Sequence, residues 1–242
     1  MIFPLAPLLI LLLVAASENL SFIKFTLIKF RTSVQPFVVV RNLGIQFGAD
    51  VTMRSHVTAT VCSCFATLRQ ISSIRHSLSR PALLTLIRAL VISKLDYCCS
   101  VLAGAPETLL HRLQSVLNAA ARLVFSARKT EHTSLLLREL HWLKVPERIK
   151  FRLYVLTYRC PHGTAPSYLV ETIQPVFGLA MQHHLRSADT STLLVPTTCR
   201  SALGDRAFPA AAARDWNSLP CHVRDMPSFL ARLLPWTQDC TV

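Results

Sequence analysis

The chain is poor in glycine and in acid. Its 242 residues hold 6 glycines against 14 prolines. So few glycines disfavour phosphate-cradling loops and the tight hairpins of all-β folds. Asp and Glu total 13, scattered along the chain, and no DxD or DD pair occurs. A two-metal polymerase centre needs several convergent carboxylates, and none can be assembled from these. No GxSxG, HExxH, Walker or GxGxxG sequence is present. There is no CxxC pair among the eight cysteines, which argues against zinc ribbons and fingers. No cofactor, metal or small-molecule substrate is expected, and no catalytic residue.

What is present is arginine and apolar residues. Lys and Arg total 26, a net charge of +13, and twenty of those cations are arginine. Arginine forks match phosphate oxygens, so a balance this basic points to nucleic acid or an anionic membrane surface. Hydrophobic residues make up 51%, enough for a sizeable core and too many for a disordered chain. "CSC" and "CC" fall on helical patterns and read as buried thiols acting as small hydrophobes rather than disulfide frameworks.

The first seventeen residues, "MIFPLAPLLILLLVAAS", carry no charged side chain. They read as a signal peptide or an apolar leader, shorter than the ~20 residues of a membrane span and without a basic start. If the leader works, the chain enters the secretory pathway, with membrane contact only if the leader stays uncleaved; otherwise it is cytoplasmic or nuclear.

Residues 18–50 read as a β segment. In "VVVRNLGIQFGAD" a β-branched run forms a strand that turns at glycine and aspartate. A strand pair there would have a bare edge, an aggregation hazard. Helical patterns follow over 51–128. Val57, Val61, Cys64, Leu68 and Ile71 make one inner face. Ser79 and Pro81 open a second helix with Leu84, Ile87, Val91, Leu95 and Cys98 inward, ending at Gly104. Asp96 falls off that face, where a carboxylate is expected to be solvated or hydrogen-bonded locally. Pro106 and Glu107 open a third helix with Leu109, Leu113, Val116, Ala120 and Leu123 inward, widened by Leu110, Leu117 and Val124. His111 lies on its outer surface.

Over 129–175 a helical extension is expected. "PERIKFRLYVLTYRC" turns Ile149, Leu153, Leu156 and Cys160 inward. Its outer face carries Arg148, Arg152 and Arg159, with Lys144 and Lys150 close by, the densest basic stripe in the chain. Such a stripe can track a phosphate backbone. Residues 176–242 read as a loosely structured C-terminal region, with one or two short strands around "TLLVP" and two or three short helices punctuated by Pro209, Pro220 and Pro227.

Six segments, in order, carry a family likeness: "VRNLGIQF", "LVISKLDYCCSVLAG", "LHRLQSVLNAAARLV", "LRELHWLKVPERIKFRLYVLTYRCPHGTAPSYL", "GDRAF" and "RDWNSLP". Together, over roughly residues 38–235, they resemble the C-terminal part of reverse transcriptases from LINE-type (non-LTR) retrotransposons. The resemblance implies the end of a palm, then a thumb and its extension. It also implies that the catalytic "YxDD"-type aspartates and the endonuclease lie outside what this chain contains, and that "LDYC" is structural. Pro209 departs from the family pattern and is expected to interrupt a helix. The fold expected is mainly α, an irregular thumb-like bundle with a short N-terminal β segment. The function implied is a non-catalytic, truncated reverse-transcriptase-like protein that binds RNA or an RNA–DNA hybrid through phosphates, independently of sequence. A secreted or membrane-anchored basic helical protein and a relic without function stand as alternatives.

Overall fold

The computed structural model describes residues 39–48, 52–176, 192–198 and 204–224. The leader at 1–17, most of the loop after Val176 and the segment around Pro227 lie outside the described residues. The architecture is mainly helical, preceded by one two-stranded antiparallel sheet. The described residues fall into two compact units. The first holds 39–99 and 105–148, the second 100–104 and 149–224.

The first unit begins with β1 (Val39–Asn42) and β2 (Ile45–Gly48), paired Val39 to Gly48 and Asn42 to Ile45. The expected single strand is thus a hairpin, folded at Leu43 and Gly44 rather than at Gly48. Both turn residues have positive φ, 48° and 85°, the geometry that matches a two-residue turn to strand twist. "Leu-Gly" is a weak hairpin signal because leucine tolerates that region poorly. Tertiary contact compensates: the Tyr97 hydroxyl donates to the Leu43 carbonyl at 2.6 Å, and its ring lies where a Gly44 Cβ would touch it at 3.5 Å. Ile45 is fully buried, while every residue of β1 is exposed.

The long helix α1 (Arg54–Ile74) follows and buries Val57, Val61, Cys64, Leu68 and Ile71, the face that the spacing predicts. Cys62 is exposed, so only one thiol of "CSC" is a core residue. A 3₁₀ turn leads to α2 (Arg80–Ile87), with Ser79 at its N-cap position and Pro81 in its first turn. The Ser79 side chain makes no cap hydrogen bond. Leu83, not Leu84, shares the core with Ile87. A π-helical stretch at Arg88–Ile92 rotates the chain, then α3 (Ser93–Asp96) ends. The helix therefore stops at Asp96, well before Gly104. Tyr97 is extended and Cys98 has φ 54°. A non-glycine residue in that conformation costs about 1–3 kcal/mol and persists only where surroundings hold it. Here Cys98 and Cys99 are buried, and Tyr97 is tied to the hairpin.

The amphipathic α4 (Glu107–Phe125) packs against α1 and buries Leu109, Leu113, Val116, Leu117, Ala120, Ala121 and Val124. Leu110 and Leu123 are half-buried. His111 is on the surface beside Glu107, at 3.2 Å. Ser126 closes the helix in the left-handed region, with the Ala127 amide donating to the Arg122 carbonyl. After α5 (Thr133–Glu139) the same device recurs. His141 has φ 55°, and the Trp142 amide donates to the Leu137 carbonyl, with both side chains buried. Then α6 (Val145–Arg159) begins; its first turn belongs to this unit and the rest to the second. That boundary lies inside the stretch expected as a helical extension.

In the second unit α6 buries Ile149, Leu153, Leu156 and, just past its end, Cys160, as expected. The short α7 (Ser167–Val170) follows. Segment 192–198 runs extended: Pro175 bridges Leu193, and the Asn217 side chain exchanges hydrogen bonds with the Leu193 backbone at 2.9 and 2.8 Å. Pro209 does not interrupt a helix. It sits in the first turn of α8 (Phe208–Asn217), where its missing amide costs nothing. In "GDRAF", Asp205 accepts from Thr198 and Arg214, and Arg206 donates to the Ala103 carbonyl. A Cβ on Gly204 would fall 2.6 Å from Thr198. The last described element is α9 (Cys221–Arg224).

Burial predicts thiol chemistry. It pushes the Cys98 and Cys160 thiols up to about 11 and raises Cys64 as well. The reactive species is the thiolate. Native protein at about pH 8 should therefore label with iodoacetamide at exposed Cys62 and Cys221, with Cys64, Cys98, Cys99 and Cys160 labelling only after denaturation. Peptide mass mapping reads this directly. Labelling of Cys98 as fast as Cys62 would contradict the buried placement.

Candidate nucleic-acid interface

The three arginines expected to form one phosphate-tracking stripe, and the two lysines close by, do not share one environment. On an ideal helix Arg148, Arg152 and Arg159 align, since steps of four and seven residues return close to the same face. The line they define is not solvent-facing throughout. In the first unit, Arg148 is buried. Its Nη1 lies 2.8 Å from both carboxylate oxygens of Asp96, and its Nε donates to the Leu143 carbonyl at 2.9 Å. The side chains are 7% and 9% exposed. Arg148 is thus a core cation and not part of an outer phosphate-binding face. Asp96 is its counter-ion and not a solvated carboxylate.

The physical reason is desolvation. A guanidinium taken out of water must be paired and hydrogen-bonded, or its burial costs several kcal/mol. Asp96 stands at the point where α3 breaks, so its carboxylate can turn toward α6 while Tyr97 turns toward the hairpin. Residues 96 and 97 therefore each tie the end of α3 to a different element. The opening of α6 is fixed further by the Val145 amide donating to Gln114 Oε1 and by Glu147 accepting from the Lys144 amide. Lys144 itself is exposed.

In the second unit Lys150 and Arg159 are exposed and Arg152 is half-buried. Lys150 lies about half a turn around the helix from Arg159. Its charge reaches the Asp215 carboxyl of α8, in the same unit. Burial pushes that carboxyl up, while the charges of Lys150 and Arg214 hold it down.

Sequence reasoning missed the Asp96–Arg148 pair because its members are 52 positions apart. A signal was present all the same. Arg148 lies three residues after buried Val145 and directly before buried Ile149, so helical spacing puts it at the margin of the inner face. Asp96 directly follows buried Leu95 at the end of the other core stripe. Opposite charges flanking two inner faces are candidates for a buried pair.

Cations elsewhere are more accessible. Among the described residues twelve Lys and Arg side chains are exposed, against five carboxylates. Nine of these cations and four of these carboxylates belong to the first unit. Among the described residues no group of three or more His, Cys, Asp and Glu is placed to hold a metal ion. No described helix is long and apolar enough to cross a membrane. No family model matches the chain, and neither a curated protein nor a solved structure matches it.

Proposed function

We propose that this chain is a non-catalytic, sequence-independent binder of RNA or an RNA–DNA hybrid, acting through phosphate contacts, and a truncated relative of LINE-type reverse transcriptases. The observation that carries the reading is the excess of exposed cations over exposed carboxylates, most of it on the first unit. Cations that stay in water can exchange their counterions for phosphate, and the released salt drives association. Such contacts fix position on a backbone without reading bases. The sequence resemblance supplies the partner class, since a thumb grips a template–primer duplex along its phosphates.

The test is binding of the full chain to a labelled RNA–DNA hybrid over a salt series. Affinity should fall with a log–log slope of about −4 or steeper, which corresponds to four or more phosphates at ~0.9 each. Unrelated hybrid sequences should give the same curve. A folded sample that fails to bind at low salt would end this reading.

A further inference from the structure

We infer that the phosphate-contacting surface is the stretch from Arg128 to Lys144, joining α4 to α6, rather than the outer face of α6. The inference rests on the binding reading above and assigns it to one place within one compact unit. Arg128, Lys129, Arg138 and Lys144 are all exposed there. The stretch has two carboxylates, and among the described residues neither forms an ion pair with any of these four cations. Glu131 Oε1 accepts the Arg128 backbone amide at 2.9 Å, and Glu139 Oε1 pairs with Arg80 at 3.4 Å. The four cations therefore have no carboxylate of their own stretch bound to their side chains. On α6, by contrast, Arg148 is buried against Asp96 and Arg152 is half-buried, which leaves Lys150 and Arg159 as its exposed cations.

The backbone that carries these cations is held at defined points. Ser126 and His141 each close a helix in the left-handed region, and buried Leu137, Leu140 and Trp142 anchor the stretch between them. Side chains on a held backbone lose less freedom on binding than side chains on a loose loop. Arginine and lysine at helix ends and turns, aimed into water, suit a phosphate backbone, which presents charge at regular spacing and asks for no fixed sequence.

The experiment compares two variants of the full chain with the wild type on the same labelled hybrid. One is Arg128→Ala/Lys129→Ala/Arg138→Ala/Lys144→Ala; the other is Lys150→Ala/Arg152→Ala/Arg159→Ala. Far-UV circular dichroism and urea unfolding check that each is folded. The first variant should flatten the salt slope by roughly 3–4, at ~0.9 per lost phosphate contact. The second should change it by about 1 or less on the same scale. If the quadruple variant misfolds, the pairs Arg128→Ala/Lys129→Ala and Arg138→Ala/Lys144→Ala serve instead, each flattening the slope by about 2. A folded quadruple variant with the wild-type slope overturns the inference while leaving nucleic-acid binding intact. A wild type that does not bind overturns the binding reading itself, so the two failures are told apart.

Discussion

Replacing Asp96 with alanine should cost about 3–5 kcal/mol of stability, because it strands the buried Arg148 guanidinium without its counter-ion. A typical domain has about 5–15 kcal/mol in all, so the variant is expected to lie near the edge of folding. The mechanism is specific. Arg148 would keep its other interactions, the Nε bond to the Leu143 carbonyl among them, but Nη1 would lose both carboxylate oxygens. Water cannot readily take their place at a side chain 7% exposed. Urea unfolding followed by circular dichroism measures the loss. The double variant Asp96→Leu/Arg148→Met separates pairing from packing. It removes both charges and keeps apolar volume, and it should recover most of the stability lost in Asp96→Ala, since buried ion pairs are often matched by well-packed apolar residues. If Asp96→Ala unfolds within about 0.5 kcal/mol of the wild type, the pair is not shielded from water as its burial implies. The same experiment bears on binding. Arg148→Ala should act on stability and leave the salt slope of any folded fraction unchanged.

The next largest effect is expected at the centre of α4. Leu117 is fully buried on the helix that packs against α1. Leu117→Ala should destabilise by about 2–5 kcal/mol, the spread reflecting how far neighbours can close the cavity. Its neighbours leave little room to relax: Val116, Ala120 and Ala121 are also fully buried, and small residues cannot reach into a void. Leu135→Ala on α5 provides the contrast. Leu135 is 65% exposed, so its truncation should stay within about 0.5 kcal/mol of the wild type. Denaturant midpoints for the two variants measure the difference. A Leu117→Ala chain as stable as Leu135→Ala would mean that Leu117 does not sit in the tightly packed core that its burial implies.

Helix positions and inner faces were legible in the sequence wherever one face was uniformly apolar. All five expected inner residues of α1 are the ones buried, and all four expected for α6 and its end are buried too. Such stripes are set by local periodicity, which needs no knowledge of the neighbour. Helix ends were legible where backbone chemistry is local, as at Pro106 and Pro81. Pro209 misled because a proline opens a helix as readily as it breaks one, and the choice depends on where the turn before it is held.

The chain by itself determined a mainly helical architecture, the faces its helices bury and a cation excess too large to be hidden inside. Tertiary structure alone decided what Asp96, Tyr97 and Arg148 do. Periodicity records which side of a helix is apolar, but a charged residue at the edge of that side can face water or a distant partner. The difference lies in desolvation, which is tolerable only when an opposite charge from elsewhere in the chain arrives at hydrogen-bond distance. The break after Asp96 brings that charge to Arg148, and so removes from the surface a cation that local spacing had placed at the start of a phosphate-tracking stripe.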